Sequence, residues 1–150
     1  MTRKSDVDGF LKKKKLAVVG VSRQKTKFGN TIYHELKKKG FRVFPVNAHM
    51  GTFDNERCYP DLKSLPEPVD GAVLVIPPAQ TEQVVKDAAA ANVPVIWMQQ
   101  GSESQPAVQF CNEHNITVIT GQCILMFLEP VTSVHKFHRW LWKLFGKLPK

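Results

Sequence analysis

The most constraining feature of the sequence is the stretch 15–30, KLAVVGVSRQKTKFGN. Its apolar run, Leu16–Val19, predicts a strand, and Gly20 ends that run ahead of a basic loop of small residues. Gly29 and Asn30 then lead into a predicted helix. A strand that breaks at glycine and re-enters a helix directs loop N–H groups and the positive helix end at one point, which suits a phosphate. The alternative interpretation is an ordinary first strand-to-helix turn.

The rest of the chain alternates between apolar runs that predict strands and apolar residues at helical spacing that predict helices. Further strands are predicted at 41–46, 71–76, 93–98 and 116–120, and further helices at 80–91 and 103–115. Short connections between alternating strands and helices predict an α/β fold with a doubly wound parallel sheet and right-handed crossovers, in a single domain.

Several local predictions concern where these elements begin and end. Residues 1–15 predict either a lead-in helix, with Ser5 or Asp6 as its cap, or a partly ordered arm. The helix at 80–91 is expected to be capped by Thr81. Gly121 is expected to stop the last strand. Residues 48–68 are expected to connect the elements with at most a short strand or helical turn.

The two ends differ from the body in charge. Residues 1–15 form a basic lead-in to a domain predicted over 1–130, and 131–150 carry five basic residues and no acid. The latter segment has apolar residues at helical spacing, so it predicts a basic, aromatic, amphipathic C-terminal helix. Such a helix is expected to pack on its own domain or on a second copy as a homodimer, with weak contact to an anionic membrane as the alternative.

Composition excludes several classes of function. The net charge of +8 belongs to the ends, whereas a nucleic-acid-binding protein usually spreads basic residues over its folded surface. No apolar run approaches the roughly 20 residues of a membrane span, and the first residues do not resemble a secretory signal. Three widely spaced cysteines indicate reduced thiols in a cytoplasmic protein, with Cys58 expected to be the most exposed.

A binding site is predicted where the carboxyl ends of the strands meet, because ligands of open α/β sheets bind there. The loop after the first strand would supply N–H groups, a hydroxyl and positive charge; the later segments would supply an edge for a ribose or base, a rigid apolar wall and amide groups. The candidate residues are Gly20, Val21, Ser22, Lys25, Phe28, Gly29, Val46, Asn47, Ile76, Pro77, Pro78, Met98, Gln99 and Gln100.

The sequence departs from the pattern of a nicotinamide-dinucleotide site. Ser22 stands where the second glycine of G-x-G-x-x-G belongs, and the second strand ends in Asn47 rather than an acidic residue. No catalytic residue is predicted, because no nucleophile has a histidine at motif spacing. No metal site is predicted either: His135 and His138 lie beside Lys136 and Arg139, which repel a cation.

Several motifs together resemble one known family. AVVGVSRQKTKFGN, PVN, Cys58-Tyr59-Pro60, Val69-Asp70 and WMQQG resemble the stand-alone CoA-binding domain proteins, relatives of the N-terminal domain of the succinyl-CoA synthetase alpha chain. The resemblance covers residues 10–123. It implies a Rossmann-like fold that binds coenzyme A at the strand ends, with the loop from Gly20 to Gly29 on the phosphates. It also implies that 45–47 lie near the nucleotide, and that 76–78 and 98–100 lie near the remainder of the cofactor.

The expected function is therefore binding of coenzyme A or an acyl-CoA by a non-catalytic sensor, carrier or regulator. The alternatives are an NAD(P)-dependent oxidoreductase and a ligase-like subunit that acts with a partner chain. Ala48 stands where the family commonly has proline, and the phosphorylated histidine of the synthetase lies on a domain with no counterpart here. Gly20→Val and Ser22→Glu are each expected to abolish binding and leave the fold intact.

Overall fold

The computed structural model describes residues 2–128. The helices are α1 (Lys4–Leu11), α2 (Phe28–Lys38), α3 (Pro78–Ala90) and α4 (Gln105–Glu113). The strands are β1 (Lys15–Val19), β2 (Arg42–Val46), β3 (Thr52–Phe53), β4 (Glu56–Arg57), β5 (Gly71–Leu74), β6 (Val95–Gln99) and β7 (Thr117–Gln122). Short 3₁₀ turns follow at Leu62–Ser64 and Ile124–Met126.

Five of the strands form one parallel sheet in the order β2-β1-β5-β6-β7. All the strand pairings in this sheet are parallel. The chain places β2 on one side of β1 and β5 on the other, so the strand order reverses at β1: Val19 pairs with Val46 on one side and with Leu74 on the other. The apolar strands are buried because a hydrophobic cluster covers each face of the sheet. The predicted α/β, doubly wound parallel sheet is confirmed, and the switch point of strand order lies between β1 and β5.

The lead-in helix α1 packs on the first of these clusters through Val7 and Phe10. The ring of Phe10 lies edge-on to Trp97, with centroids 5.3 Å apart. It also lies against Gly71, where a Cβ atom would approach Phe10 Cε2 to 2.7 Å. Glycine at the start of β5 therefore makes room for α1.

Three predictions about element ends are wrong. The N-cap of α1 is Arg3 rather than Ser5 or Asp6, and the N-cap of α3 is Pro77, so Thr81 lies inside that helix. Gly121 does not stop β7, which continues to Gln122 past an irregularity in its pairing with β6. Asp6 instead lies at the third helical position, where its carboxylate accepts a hydrogen bond from the Arg3 amide (3.4 Å). Gly121 has a positive φ, which glycine tolerates at a bulge.

The connection after β2 contains more structure than the sequence predicted. β3 and β4 form an antiparallel hairpin, with Asp54 and Asn55 at its turn in the left-handed region. Two adjacent residues with positive φ are typical of a tight two-residue hairpin turn. The helical turn expected within 61–65 is present at Leu62–Ser64, capped by the Asp61 side chain.

The predicted basic helix at 131–150 lies outside the described residues. The domain boundary at 130 remains a prediction for the same reason. Among residues 2–128, no helix is both long enough and apolar enough to cross a bilayer.

Candidate functional site

Two glycines bring the end of β1 and the start of α2 into direct contact. A Cβ atom on Gly29 would lie 2.2 Å from the carbonyl oxygen of Gly20, and one on Gly20 would lie 2.0 Å from the carbonyl oxygen of Val75. Gly20 also has φ of +123°, which side-chain-bearing residues rarely adopt. The expectation that Gly20→Val would leave the fold intact is therefore wrong, because the new side chain would collide with backbone.

The loop between these glycines is held by the side chain of Asn30. Its Oδ1 accepts a hydrogen bond from the Ser22 amide (2.7 Å), and its Nδ2 donates to the carbonyl oxygens of Ser22 (2.8 Å) and Gln24 (3.1 Å). Asn30 is 4% exposed, so these bonds are largely shielded from water. The Ser22 hydroxyl in turn accepts from the Gln24 amide (3.1 Å). The loop is thus fixed by side chains of its own segment.

Asn47, at the end of β2, forms a second attachment for the same loop. Its Nδ2 donates to the carbonyl oxygen of Val21 (2.7 Å), and its Oδ1 accepts from the amide of His49 (2.7 Å). Arg23 reaches back across this connection to the carbonyl oxygen of His49 (3.1 Å). The amide group of Asn47, predicted as a ligand contact, is already engaged in joining the loops after β1 and β2.

The N-terminus of α2 opens toward the same edge of the sheet. Its N-cap, Lys27, makes no side-chain capping bond, and the first turn contains no acidic residue. The amides of Phe28 and Gly29 therefore have no capping partner among residues 2–128 and, as the first amides of a helix, no intrahelical acceptor. Phe28 is 40% exposed and lies at this end of the helix. An anion would satisfy the orphan donors and the positive end of the helix dipole.

The loop after β5 forms the neighbouring wall. Ile76 is half-buried, and Pro77 and Pro78 are exposed at the start of α3. The Ile76 amide donates to the Ser102 hydroxyl (3.0 Å), and the Thr81 hydroxyl donates to the Ser102 carbonyl oxygen (2.7 Å). The first bond is partly buried and the second is buried, and together they fix the loops after β5 and β6 to one another.

The candidate residues 98–100, at the end of β6, differ in how far they are buried. Met98 is fully buried and Gln99, expected in a loop, is the last residue of β6 and 2% exposed. The Gln99 Oε1 accepts from the Ile124 amide (3.1 Å), so its side chain faces the protein interior. Gln100 is exposed. Nearby, the Glu103 carboxylate accepts from the amides of Gly101 (2.8 Å) and Gly121 (3.0 Å).

Two further candidates, Val21 and Val46, are 1% and 2% exposed. Apart from Gly20, Gly29 and Asn47, described above, the predicted residues thus separate into two sets. Side chains of one set are accessible at the carboxyl edge, whereas residues of the other set can offer a ligand only backbone atoms. The accessible set is Ser22, Lys25, Phe28, Ile76, Pro77, Pro78 and Gln100; the buried side chains are Val21, Val46, Met98 and Gln99.

A cavity of about 410 Å³ adjoins the loop on the flank of α2. Among its lining residues, Ser22 and Lys25 are predicted site residues, whereas His34, Met50 and Phe53 are not. The last two belong to the connection that was expected to have little structure. The local signal for a hairpin in the sequence is the pair Asp54-Asn55, because these residue types tolerate the positive φ of a tight turn.

The hairpin is attached firmly to α2. The buried Tyr33 hydroxyl donates to Glu56 Oε2 (2.8 Å), and Lys37 pairs with Glu56 Oε1. The bond from Lys37, together with that from Tyr33, lowers the pKa of the Glu56 carboxyl. Burial raises the pKa of Tyr33, and its hydrogen bond to Glu56 does so further, so the phenol keeps its proton. His34 and Asp54 add a second pair at 3.3 Å.

The cysteines are all buried, so the prediction of an exposed Cys58 is wrong. Burial raises the pKa of the Cys58 thiol and raises that of Cys111 to about 11. Thiols of this kind are poor nucleophiles near neutral pH. Within residues 2–128, no three His, Cys, Asp or Glu side chains lie together as potential metal ligands.

Comparisons with known proteins agree with this geometry. The sequence matches the CoA binding domain family over residues 14–129. A solved structure of a conserved hypothetical protein from Pyrococcus furiosus is similar with a TM-score of 0.73 and 36% identity; the match covers 77% of this chain and 99% of that one. The uncharacterized protein YneT of Bacillus subtilis is 26% identical over 122 residues, 81% of this chain and 90% of YneT.

Larger proteins share the same segment. The alpha subunit of ADP-forming acetate–CoA ligase II from Pyrococcus furiosus is 23% identical over 129 residues, which are 79% of this chain but 28% of the subunit. This chain therefore spans about a quarter of that subunit's length. The family match covers most of the chain, and the fold is a parallel sheet with a switch point between β1 and β5. This protein therefore belongs to the CoA binding domain family, with coenzyme A as its cofactor.

Proposed function

We propose that this protein binds coenzyme A or an acyl-CoA with its phosphates at the loop from Gly20 to Gly29, as a sensor, carrier or regulator that performs no chemistry of its own. The observation that carries the proposal is the uncapped N-terminus of α2 beside a loop whose shape is fixed by Asn30. An anion bound there would accept hydrogen bonds from the unpaired amides and would be attracted by the helix dipole. Its binding would not have to offset the entropy of ordering the loop.

Individual roles follow from burial. The amides at the start of α2 and the Ser22 hydroxyl would contact phosphate oxygens, with Lys25 adding positive charge. Phe28 and the wall formed by 76–78 would contact the apolar part of the cofactor, and Gln100 a polar group of it. Val21, Val46, Met98 and Gln99 would contribute through backbone atoms alone, and Asn47 through its hold on the loop.

The proposal that the protein is non-catalytic draws support from its thiols. Cys58 and Cys111 are buried with raised pKa values, so neither offers a ready nucleophile for acyl transfer. Location in the cytoplasm is part of the same proposal, in keeping with three reduced cysteines.

A second candidate function is that of a subunit acting with a partner chain. It is favoured by the matches to ADP-forming acetate–CoA ligases, in which the shared segment is a minor part of a larger protein. In that case the chain would hold the coenzyme while the partner supplied the remaining chemistry.

A ligand screen by thermal denaturation tests the proposal. A ligand that binds only the folded state adds RT ln(1 + [L]/Kd), about 2.7 kcal/mol at a concentration of 100 Kd. We expect stabilisation by coenzyme A or acetyl-CoA that exceeds any effect of NAD, NADP or ATP. Stabilisation by NAD and not by coenzyme A would refute the proposal and favour an oxidoreductase.

Ser22→Glu tests the place of binding. The new carboxylate would repel phosphates at the loop, so we expect loss of the coenzyme A shift with little change in the stability of the free protein. Ser5→Glu, which makes the same change in charge on the exposed face of α1, is the matched control. Equal affinity of both variants for coenzyme A would place the phosphates elsewhere.

To separate the two candidate roles, the purified chain is incubated with acetyl-CoA, ADP and phosphate, and ATP is measured. ATP formation by the chain alone would overturn the non-catalytic role. Formation only after addition of a co-purifying protein would support the subunit.

A further inference from the structure

The outer edge of β2 is only half covered. β2 is the last strand on its side of the sheet, so no further strand pairs with that edge along its whole length. The carboxyl half is closed by the segment after β4: the Tyr59 amide donates to the Pro45 carbonyl oxygen (3.0 Å), and the Asn47 amide donates to the Tyr59 carbonyl oxygen (2.9 Å). Among residues 2–128, no such bridge covers the amino half, residues 42–44, which we call the open half of the β2 edge.

Val43 is the residue whose backbone polar groups point outward from this open half. The Arg42 amide donates to the Lys14 carbonyl oxygen (2.9 Å), so the even-numbered residues of β2 direct their backbone groups at β1 and the odd-numbered ones direct theirs away. Pro45 has no N–H, and its carbonyl oxygen is bonded to Tyr59. The Val43 N–H and carbonyl oxygen have no backbone partner in the described part of the chain. They offer one donor and one acceptor to an added strand.

A cavity of about 300 Å³ lies along the open half, with two arginines at its rim. The rings of Phe44 and Tyr59 lie edge-on, with centroids 6.2 Å apart. Arg42 lies over the Phe44 ring at 5.3 Å, and Arg57 lies over the Tyr59 ring at 5.2 Å. A guanidinium group over an aromatic face is attracted by the ring and held in place. Both positive charges are therefore fixed beside the strand edge.

The charge of this rim favours an acidic occupant. The charged residues that line the cavity are Lys37, Arg42, Arg57 and Glu56. Glu56 is already paired with Lys37, and Arg42 shares Glu67 with Lys15, at 3.1 and 3.4 Å. Arg57 contacts the Tyr59 ring and makes no ion pair with the described residues. A second copy of this chain on the same edge would bring like charges together, so charge favours an acidic partner over self-pairing.

We propose that the open half of the β2 edge binds an extended, acidic segment of a partner protein, which adds a strand to the sheet beside Val43. The segment would exchange hydrogen bonds with that residue and place acidic side chains near Arg42 and Arg57. On the other face of the sheet, its alternate side chains would be apolar and lie near Phe41. The surface lies at the amino end of β2, away from the proposed phosphate loop, so the inference does not depend on coenzyme A as the ligand.

Amide hydrogen exchange tests whether the edge is open in the free protein. The protection factor of the Val43 amide should be at least roughly tenfold lower than that of the Phe44 amide, which faces β1. Equal protection of the two amides would show that the edge is closed and would overturn the inference.

Binding is tested with the capped heptapeptide EVEVEVE, labelled for fluorescence anisotropy, and with KVKVKVK as its charge-reversed counterpart. We expect EVEVEVE to bind, KVKVKVK to bind at least roughly tenfold more weakly, and bound EVEVEVE to protect the Val43 amide from exchange. Two methylated forms of EVEVEVE, with N-methyl groups on the glutamates or on the valines, test the pairing itself. Only one of these sets can face β2, so one form should lose binding while the other keeps it. Equal affinities of the two forms would show that the peptide does not pair as a strand.

Arg57→Glu tests the contribution of the rim. It should weaken binding of EVEVEVE at least roughly tenfold, because it replaces an attraction by a repulsion. Lys86→Glu is the matched control, since it makes the same change in net charge at an exposed position on α3 and should leave the affinity within about twofold. If EVEVEVE does not bind the wild-type protein, or if both variants weaken it equally, the arginines only protect the edge from aggregation and the inference fails.

Discussion

The side chain of Asn30 offers a direct measure of how much the loop depends on a single residue. Asn30→Ala removes three hydrogen bonds, to Ser22 N, Ser22 O and Gln24 O, at 2.7, 2.8 and 3.1 Å. A hydrogen bond contributes a net 0.5–1.5 kcal/mol, roughly 3 kcal/mol for three. Water can reach part of the exposed Gln24, and alanine is the better helix former, so we expect a net loss of about 2 kcal/mol.

Urea denaturation measures that loss, and for a chain of this length it corresponds to a fall in Tm of roughly 4–8 °C. The affinity for coenzyme A should fall as well, because the free loop would have to be ordered on binding. Thr31→Ala, at the next and exposed position of α2, is the control and should change neither quantity. An unfolding free energy within about 0.5 kcal/mol of the wild type, together with unchanged affinity, would refute the role given to Asn30.

Asn30→Asp separates the accepted bond from the donated bonds. The carboxylate can still accept from the Ser22 amide, but its second oxygen would face two carbonyl oxygens to which Nδ2 now donates. We expect destabilisation at neutral pH that lessens as the pH falls and the carboxyl becomes protonated. Equal destabilisation at pH 7 and at pH 4 would contradict this account.

Three further outcomes follow from the fold. Gly71→Ala should lower the unfolding free energy by about 1–3 kcal/mol in urea denaturation, because its Cβ would approach Phe10 to 2.7 Å; no loss would show that α1 can shift freely. The Lys15 amide, ahead of that of Lys14, lowers the pKa of Asp70, so this carboxylate stabilises the fold above the pKa of the unfolded chain and loses that effect as pH falls through its folded pKa. In Asp70→Asn, the free energy of unfolding should therefore depend less on pH below about pH 4 than in the wild type. The same dependence on pH in both proteins would contradict this. Burial raises the pKa of Cys111 to about 11, so this thiol should react with a thiol reagent at pH 8 only after denaturant is added; prompt reaction in the native protein would show that it is exposed.

The sheet could be predicted from the sequence because its strands are continuous apolar runs bounded by glycine, proline or asparagine. Burial on both faces leaves no room for polar residues, so the pattern of a parallel sheet is strong even in a single sequence. The ends of the elements were less predictable. Thr81 has the chemistry of an N-cap, but Pro77 and Pro78 begin the helix earlier, and the threonine hydroxyl instead bonds the Ser102 carbonyl.

The hairpin and its cavity could not be predicted in the same way. Strands of two residues are too short to show a period, and the hairpin is stabilised by contacts with α2 rather than by its own pattern. The contact between Tyr33 and Glu56 joins residues that are 23 positions apart. The sequence around Tyr33 does not predict its contact with Glu56, because tyrosine is common in helices and glutamate is common in exposed strands.

The two asparagines show how polar side chains beside a predicted site can bond the protein's own backbone. Asn30 follows the loop directly and Asn47 follows β2, and each side chain carries an amide group that suits a ribose or a phosphate equally well. Both side chains instead bond the loop's own backbone, at Ser22, Gln24 and Val21. An asparagine amide donates and accepts at once, so it can replace the backbone partner that an irregular loop lacks. If the loop is held in this way before the cofactor arrives, its basic residues need only supply charge. Substitution of Lys25 should then change the affinity and its dependence on salt, whereas substitution of either asparagine should change stability and affinity together.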